Sequence, residues 1–442
     1  MFNEKINQQH RDLITTLINQ LWRLVSGPIT MLLIPLFLSP EQQGYWYLFG
    51  SLSALSIFAD LGFSNIILQF SAHEYAFLNF TEDGLLDGEE IYKKKLGSFF
   101  RFTLKWITTV CILVFPIIYV IGILFFIRDK VLNIYLLPWS IFAIGALIIF
   151  FNNSILSFIE GLNKIEVIQR IRFWVAIIQT GVLAFTLILG GNIYALAFSM
   201  LLSSSSIFIS IFGRFRKLLS QLINVSKGFA YPWRKEIVPL FLKYALSFSS
   251  GYFIFQIYTP LMHYFHGPVY SGKVGITLSL VTAIFSMSNI WMYTITPQIN
   301  ILISQKLWFN LDSIFIKRLL LSIGTYLFIT LGVFVFITLF GNIWIIPRVI
   351  SRFLPSISLV ILLACYLIQL IINSWALYLR GHKQEPYVIP SIISAIWIAI
   401  TTFIVGKYLS PIWFFIGFFT SYFWATPVCY IIYRKCKVLW HG

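Results

Sequence analysis

Long uninterrupted runs of apolar residues are the feature that most restricts what this chain can fold into. Twelve such runs follow one another between polar breaks. A helix that crosses a bilayer needs roughly 20 consecutive apolar residues, and the short alternating segments of a membrane β-barrel are absent from the sequence. The runs predict an all-α polytopic membrane protein of twelve transmembrane helices. The predicted spans are 14–38, 44–70, 103–127, 134–159, 173–189, 193–212, 239–260, 274–299, 319–340, 357–379, 387–405 and 412–433.

The scarcity of charge supports the same class. Only 11% of the 442 residues are charged and 58% are hydrophobic, whereas a soluble domain has about 25% charged residues. So little polar surface cannot cover a fold of this length in water. The spans also leave little chain for a separate soluble domain.

The distribution of lysine and arginine predicts the orientation. If the N-terminus is cytoplasmic, the cytoplasmic segments hold 25 basic residues and the outer segments hold 6. Cytoplasmic loops carry the excess of basic residues, so both termini are predicted to be cytoplasmic. The net charge of +16 is then mostly a topology signal together with an attraction to anionic membrane lipids, and it does not indicate nucleic-acid binding.

The segment from Gly213 to Pro239 divides the spans into two groups of six. The predicted domains are an N-terminal six-helix lobe at 1–212, a cytoplasmic interfacial linker at 213–238 and a C-terminal six-helix lobe at 239–442. The linker opens with an amphipathic pattern that is typical of a helix at the membrane interface. The alternative interpretation is a basic cytoplasmic loop without further role. Its apolar face is formed by Phe215, Leu218, Leu219, Leu222 and Val225.

No enzyme, redox or metal signature occurs. GxxxxGK[ST], HExxH and GxSxG are missing, and the four cysteines form no CxxC pair. His263 and His266 share an outer-side turn without a carboxylate nearby and are predicted to be surface residues. The predicted outer loops leave little room for chemistry. The sequence therefore predicts a transporter without a cofactor, and not an enzyme.

The first two spans carry the only charges predicted to lie deep in the membrane. Gln20 and Arg23 share one helical face of the first span, and Asp60 lies on a serine-rich face of the second. Arg23 and Asp60 are both roughly 14–15 Å from the cytoplasmic end of their spans, at about 1.5 Å per residue. They form either a structural ion pair or a cationic site in which Asp60 is a partner or proton carrier.

The seventh and eighth spans carry polar faces without such charges. Tyr252 and Gln256 lie on one face of the seventh, and one face of the eighth carries Thr282, Ser286, Asn289 and Tyr293. Amides, hydroxyls and aromatic rings suit sugar binding, although they also suit helix packing. Lys243 is predicted either to reach the cytoplasmic interface or to place its charge at a cavity mouth.

Three segments carry a resemblance to a known family. Leu38 to Glu74, which includes SPEQQGYWYLFGSLSAL and ADLGF, His266 to Asn300, and Tyr378 to Pro386 with YLRGHKQEP resemble the Wzx-type O-antigen flippases of the multidrug/oligosaccharidyl-lipid/polysaccharide (MOP) exporter superfamily. The resemblance implies a MATE-like, V-shaped bundle of two lobes. It also implies translocation of an undecaprenyl-diphosphate-linked oligosaccharide across the bacterial inner membrane by alternating access, in lipopolysaccharide biosynthesis.

The resemblance assigns roles and partners to particular positions. It implies a cationic substrate site at Arg23 and Lys243 and an ion-coupling role for Asp60, with the glycan polymerase machinery as a further partner. The sequence departs from the family in having so few cations within its spans. Two alternatives stay open: a drug or cation antiporter of the MATE type, and a membrane glycan polymerase or ligase.

Overall fold

The structure is a computed structural model that describes residues 15, 18, 19, 22, 25–343, 346–382 and 384–441, without the side chains at 243, 247, 297, 301 and 304. The described chain is helical apart from a hairpin of two short strands. Contacts divide it into two compact units, one formed by 1–26 and 52–249 and the other by 27–51 and 250–442. This division differs from the predicted domains, since 27–51 packs with the second half of the chain and 213–249 with the first.

The first unit is built from seven helical segments and the hairpin. Its core lies where α4, α6, α7 and α8 pack against one another. Its elements are α3 (Ile57–Asp60), α4 (Phe63–Tyr75), β1 (Leu78–Phe80), β2 (Leu86–Gly88), α5 (Glu90–Arg128), α6 (Leu132–Gly161), α7 (Ile165–Ile188), α8 (Tyr194–Val225) and most of α9 (Trp233–Phe255).

The second unit has its core between α10, α12, α14 and α16. It also includes most of α1 and most of α2. Its elements are α1 (Val25–Phe37), α2 (Pro40–Ser53), α10 (Tyr258–Tyr293), α11 (Thr296–Ser304), α12 (Trp308–Phe340), α13 (Ile346–Ile350), α14 (Ser356–Gly381), α15 (Val388–Tyr408) and α16 (Ile416–His441).

The helices confirm a polytopic all-α membrane protein. Within the described ranges, nine helical stretches are long and apolar enough to cross a bilayer, and a bent pair of helices adds a tenth. The stretch 233–300 contains both the seventh and the eighth predicted spans. Every predicted span overlaps a helix, while the number of twelve crossings and the cytoplasmic termini stay predictions.

The predicted interfacial linker is corrected by the structure. α8 continues without interruption to Val225, and Phe215, Leu218 and Leu222 are buried in the core of the first unit. The amphipathic pattern arises because this face packs on protein instead of on lipid. Gln221 also holds the hairpin, since its amide nitrogen donates to the carbonyl oxygen of Leu86 at 2.8 Å and its amide oxygen accepts from the Leu86 N–H at 2.9 Å.

The second predicted span is bent where the sequence predicts one continuous helix. Leu61 and Gly62 both have left-handed backbone conformations, with φ of 45° and 79°, so the helix stops after Asp60 and restarts at Phe63. The two parts differ in direction by 45°. A Cβ at position 62 would lie 2.7 Å from the Phe248 ring and 3.0 Å from the Tyr244 Cβ, which explains why glycine suits this position.

The predicted outer turn between the seventh and eighth spans is mostly helical. Gly267 (φ 80°) and Pro268 interrupt α10 there. The backbone of Gly44 in α2 packs so closely on Pro268 that a Cβ at position 44 would lie 2.0 Å from its carbonyl oxygen. His263 is 1% exposed and its Nδ1 lies 3.1 Å from the Ser271 hydroxyl oxygen, so the prediction of a surface histidine was wrong: the turn residues form a helix that buries it.

Candidate functional site: a neutral cavity and a charged helix break

A cavity of about 660 Å³ lies inside the second unit. It is bounded by α2 and α10, by the connection between α9 and α10, and by α14. Among the described side chains that line it, none is charged. Its lining consists of Tyr47, Gly50, Ser51, Phe255, Gln256, Thr259, Gly275, Leu278, Ser279, Thr282, Phe285, Ser286 and Tyr366.

Hydroxyl groups and aromatic rings make up most of the polar wall. The Thr282 hydroxyl donates to the Tyr366 hydroxyl oxygen at 3.3 Å, and the Phe285 ring packs edge-on against Tyr366 at 5.6 Å between centroids. The Ser51 and Ser279 hydroxyls donate to carbonyls of their own helices. Their oxygen lone pairs stay able to accept further hydrogen bonds.

Of the site residues predicted in the seventh and eighth spans, Gln256 lines the cavity. It lies in the two-residue interruption between α9 and α10, which removes it from a regular helix face. Tyr252 is buried and Tyr293 is 58% exposed, and neither lines the cavity. Asn289 follows Ser286 by one helical turn and is fully buried.

Asn289 stands out because no hydrogen-bond partner among the described residues lies within reach of its amide nitrogen or oxygen. A buried polar group without a partner costs roughly 1–3 kcal/mol, and such groups usually indicate an ordered water or a ligand. The neighbouring hydroxyl of Ser288 by contrast donates to the carbonyl of Ile284 at 2.8 Å. The amide therefore has unused hydrogen-bonding capacity one turn beyond the cavity wall.

Several lining residues were missed by the sequence analysis. Ser279 extends the predicted face of Thr282, Ser286 and Asn289 by one more turn, so its spacing could have revealed it. Tyr47 and Ser51 lie in the segment that carries the family resemblance, yet nothing local distinguishes them from packing residues. Tyr366 is isolated in an apolar run and has no such signal.

Asp60, the predicted ion-coupling residue, ends α3 in the first unit. Its carboxylate oxygen accepts from the backbone N–H of Ser64 at 3.1 Å and from the Ser64 hydroxyl at 2.5 Å. It thereby caps the N-terminus of α4, where the helix dipole favours a negative charge. The sequence predicts that Asp60 and Ser64 lie one turn apart on a continuous helix face. In the structure the helix breaks between them, and Asp60 instead caps the helix that contains Ser64.

A second polar cluster in the first unit joins α6 and α7. Arg172 forms an ion pair with Glu160, with its closest nitrogen 2.8 Å from a carboxylate oxygen. Gln169 donates to Glu160 at 3.5 Å, and the buried Asn19 donates to Gln169 at 2.9 Å. Sequence analysis assigned these charges to loop ends, so the cluster was missed.

The remaining predicted site residues cannot be placed in the cavity or outside it. Gln20 and Arg23 lie outside the described residues. Lys243 lies in α9, and its side chain is outside the described part of the chain. The possible contact between Arg23 and Asp60 therefore stays a prediction.

Comparison with known proteins identifies the fold. No protein-family model and no curated protein matches the chain. Among solved structures, a MATE in the bent conformation matches with a TM-score of 0.58 and 14% identity, covering 98% of this chain and 96% of that one. An inward-facing multidrug resistance MATE family transporter of the MOP superfamily matches with 0.53 and 16%, covering 97% and 98%.

A third solved structure is a MOP superfamily transporter from Pyrococcus furiosus, described as having a binding pocket of reverse polarity that suggests a different function. It matches with a TM-score of 0.56 and 16% identity, covering 98% of this chain and 96% of that one. These likenesses span nearly the whole chain. The protein is a multi-pass helical membrane protein, and its fold is MATE-like.

Proposed function

We propose that this protein is a flippase that translocates a polyprenyl-diphosphate-linked oligosaccharide, of the undecaprenyl O-antigen type, across the bacterial inner membrane by alternating access. The observation that carries the proposal is the uncharged cavity of the second unit, with its wall of hydroxyls, one amide and aromatic rings. The MATE-like fold supports a transporter. The family resemblance of three sequence segments supports this class of substrate.

The cavity chemistry suits a neutral sugar. Sugar hydroxyls exchange hydrogen bonds with Gln256, Thr282 and Ser286, while the apolar C–H face of a ring packs on an aromatic face such as Tyr366. A volume of about 660 Å³ falls in the range of about 300–1,000 Å³ seen for sites that hold organic ligands. It suits part of an oligosaccharide, with the lipid chain left in the membrane.

The charged partners of the diphosphate are proposed from the sequence. Arg23 and Lys243 would contact the diphosphate, and Asp60 would couple transport to an ion gradient. The support for this role is that the Asp60 carboxylate lies at a helix break, where its negative charge stabilises the start of α4. Replacing Arg23 with alanine should abolish surface glycan while leaving membrane insertion intact. Normal surface glycan in the Arg23→Ala variant would contradict the role proposed for Arg23.

A drug or cation antiporter is the second candidate. Its support is the likeness to MATE structures, one of which is described as a multidrug resistance transporter. A cationic substrate in low-dielectric surroundings needs a carboxylate nearby, and the described lining of the cavity contains none. The Pyrococcus neighbour, described with a binding pocket of reverse polarity, is a precedent for a different function on this fold.

Proteoliposomes containing the purified protein test the two candidates side by side. One assay follows translocation of a polyprenyl-diphosphate oligosaccharide by the accessibility of its sugar to an impermeant reagent, and the other follows efflux of a cationic dye. We expect the rate of sugar translocation to fall at least tenfold in Gln256→Leu and in Thr282→Val, because each substitution removes one or two hydrogen bonds in a desolvated site. Thr338→Val, an exposed threonine of α12, is the matched control. Dye efflux without sugar translocation would overturn the proposal in favour of the antiporter.

A further inference from the structure

A groove of about 580 Å³ runs between α7 and α8 in the first unit. Its walls are apolar over most of their length, with Trp174 57% exposed and Ile209 69% exposed. One end of the groove is basic, because Arg170 of α7 and Arg214 of α8 both line it. The groove thus combines an apolar channel with a cationic end, which are the two parts of a lipid-binding site.

The basic end carries an excess of positive charge. Arg170 is paired with Glu166, whereas no carboxylate of the described chain lies within 4.0 Å of Arg214. Lys164 adds a third cation close by: burial and the neighbouring Arg214 lower the pKa of its ammonium group, which itself lies 3.9 Å from the centroid of the Phe80 ring. Among the described residues, two arginines therefore line the basic end and a lysine lies near Arg214, while Glu166 is the carboxylate paired there, and this imbalance favours an anion.

The polar groups along the groove leave the arginines as the main recognition element. The Ser206 and Ser210 hydroxyls donate to carbonyls of their own helix at 2.7 Å. Their donor hydrogens are used, so the two arginines are the charged side-chain donors that remain among the described residues that line the groove. From Arg170 to Ile178 the channel is roughly 12 Å long at about 1.5 Å per residue, a length that takes the upper half of an acyl chain.

We propose that this groove binds an anionic phospholipid of the surrounding leaflet, with its phosphate between Arg170 and Arg214 and one acyl chain along Trp174 and Ile209. The charge excess is the feature that selects an anionic headgroup over a zwitterionic one. Arginine suits this task because its planar fork donates two parallel hydrogen bonds to phosphate oxygens. The site does not depend on the function proposed above.

Native mass spectrometry of the full-length protein, titrated with phosphatidylglycerol or phosphatidylcholine, tests the site. We expect phosphatidylglycerol to bind more tightly, and Arg214→Ala to weaken it about five- to tenfold, the effect of one headgroup cation. Arg216→Ala is the matched control, since this exposed arginine lies two residues further along α8 and does not line the groove. Its affinity should stay within about twofold of the wild type.

A variant that changes only the shape of the groove distinguishes lipid binding in the groove from general attraction of anionic lipid to positive charge. A Cβ at Gly213 would meet no other atom within 4 Å, and Gly213 lines the groove, so Gly213→Leu adds an apolar side chain there and leaves every cation in place. We expect it to weaken phosphatidylglycerol binding as strongly as Arg214→Ala does. Unchanged binding in both variants, or equal affinity for phosphatidylcholine, would overturn the proposal. Displacement of phosphatidylglycerol by a far lower concentration of polyprenyl diphosphate would assign the groove to that lipid instead.

Discussion

The two units place polar groups inside a membrane protein in different ways. The first unit uses charges, with Asp60 at a helix break and Glu160 paired with Arg172. Around its cavity the second unit uses neutral groups, and the described lining of that cavity carries no charge. A charged group inside a membrane protein must be paired or capped, whereas hydroxyls can satisfy themselves on their own helix and still accept a ligand. In the function proposed above, ion coupling therefore belongs to the first unit and sugar binding to the second.

The largest expected effect comes from placing a charge in the neutral cavity. Thr282→Asp would put a carboxylate beside the Tyr366 hydroxyl, at a cost of roughly 2.5–3.5 kcal/mol for a charge inside the membrane. We expect sugar translocation to fall about a hundredfold, measured in proteoliposomes. Thr282→Ser keeps the hydroxyl and should retain most activity. Full activity in Thr282→Asp would contradict a neutral sugar site.

The charged cluster around Glu160 and Arg172 should be destabilised by the loss of a charge, whereas the neutral cavity is disturbed by the addition of one. Glu160→Gln leaves Arg172 without its counter-ion, and we expect the free energy of unfolding to fall by about 1–2 kcal/mol. Glu166→Gln removes the carboxylate that is paired with Arg170, which is more exposed than Glu160. We expect this substitution to lower the free energy of unfolding by less than about 0.5 kcal/mol. Denaturation in detergent measures both. Equal costs would mean that the cluster is only a surface ion pair.

Two substitutions at Asp60 separate capping from charge. Asp60→Ala removes the acceptor for the Ser64 N–H and should destabilise α4 by about 1 kcal/mol, the usual cost of a lost cap. Asp60→Asn keeps an acceptor oxygen and should unfold nearly as the wild type does. We expect both variants to lose the dependence of transport on a pH gradient, measured at several imposed gradients. Retained dependence in Asp60→Asn would assign the coupling elsewhere.

The smallest expected effect concerns a histidine contact at the end of the second unit. The Nδ1–H of His382 donates to the carbonyl of Tyr378 at 3.2 Å, and its Nε2 lies 3.3 Å from Nε2 of His441. Tyr378 also donates to Asp312, which is paired with Lys437 at 2.7 Å. A second proton on the His382 ring would set two N–H groups against each other.

Burial lowers the pKa of His382 below its ordinary value of 6.5. The unfolded ring then takes up a proton more readily than the folded one, so the stability of this contact is complete above about pH 6.5 and falls as the pH drops. We expect faster hydrogen exchange in 431–441 at pH 5.5 than at pH 7.5, after correction for intrinsic rates. His382→Gln should remove most of that difference. An unchanged difference would exclude His382 as its source.

The sequence predicts the membrane class and the helices well because both depend on long apolar runs. It also places Gln256, Thr282 and Ser286 on polar faces, since helical spacing is a local property. It does not predict the bend after Asp60, where Leu61 adopts a left-handed conformation that its side chain disfavours. The packing of 27–51 with the second half of the chain depends on tertiary contacts such as Gly44 on Pro268, which leave no local pattern.

The amphipathic pattern after Gly213 shows a second limit of sequence reasoning. An apolar helix face has the same spacing whether it rests on lipid or on protein. Here the hairpin around Leu86 and the start of α5 cover that face, and neither is near it in sequence. Only the fold distinguishes the two cases.

Cysteine protection at position 50 tests the central claim most directly, namely that the sugar occupies the neutral cavity. Gly50 lines the cavity, and a Cβ there would meet no other atom within 4 Å. A Cβ at the control position Gly324 in α12 is equally free of contacts. Each is replaced by cysteine after removal of the four native cysteines, and maleimide labelling is measured with polyprenyl-diphosphate oligosaccharide or with the same lipid lacking sugar. The account predicts protection of position 50, and not of position 324, by the sugar-bearing lipid alone. Equal labelling with and without the sugar would contradict it.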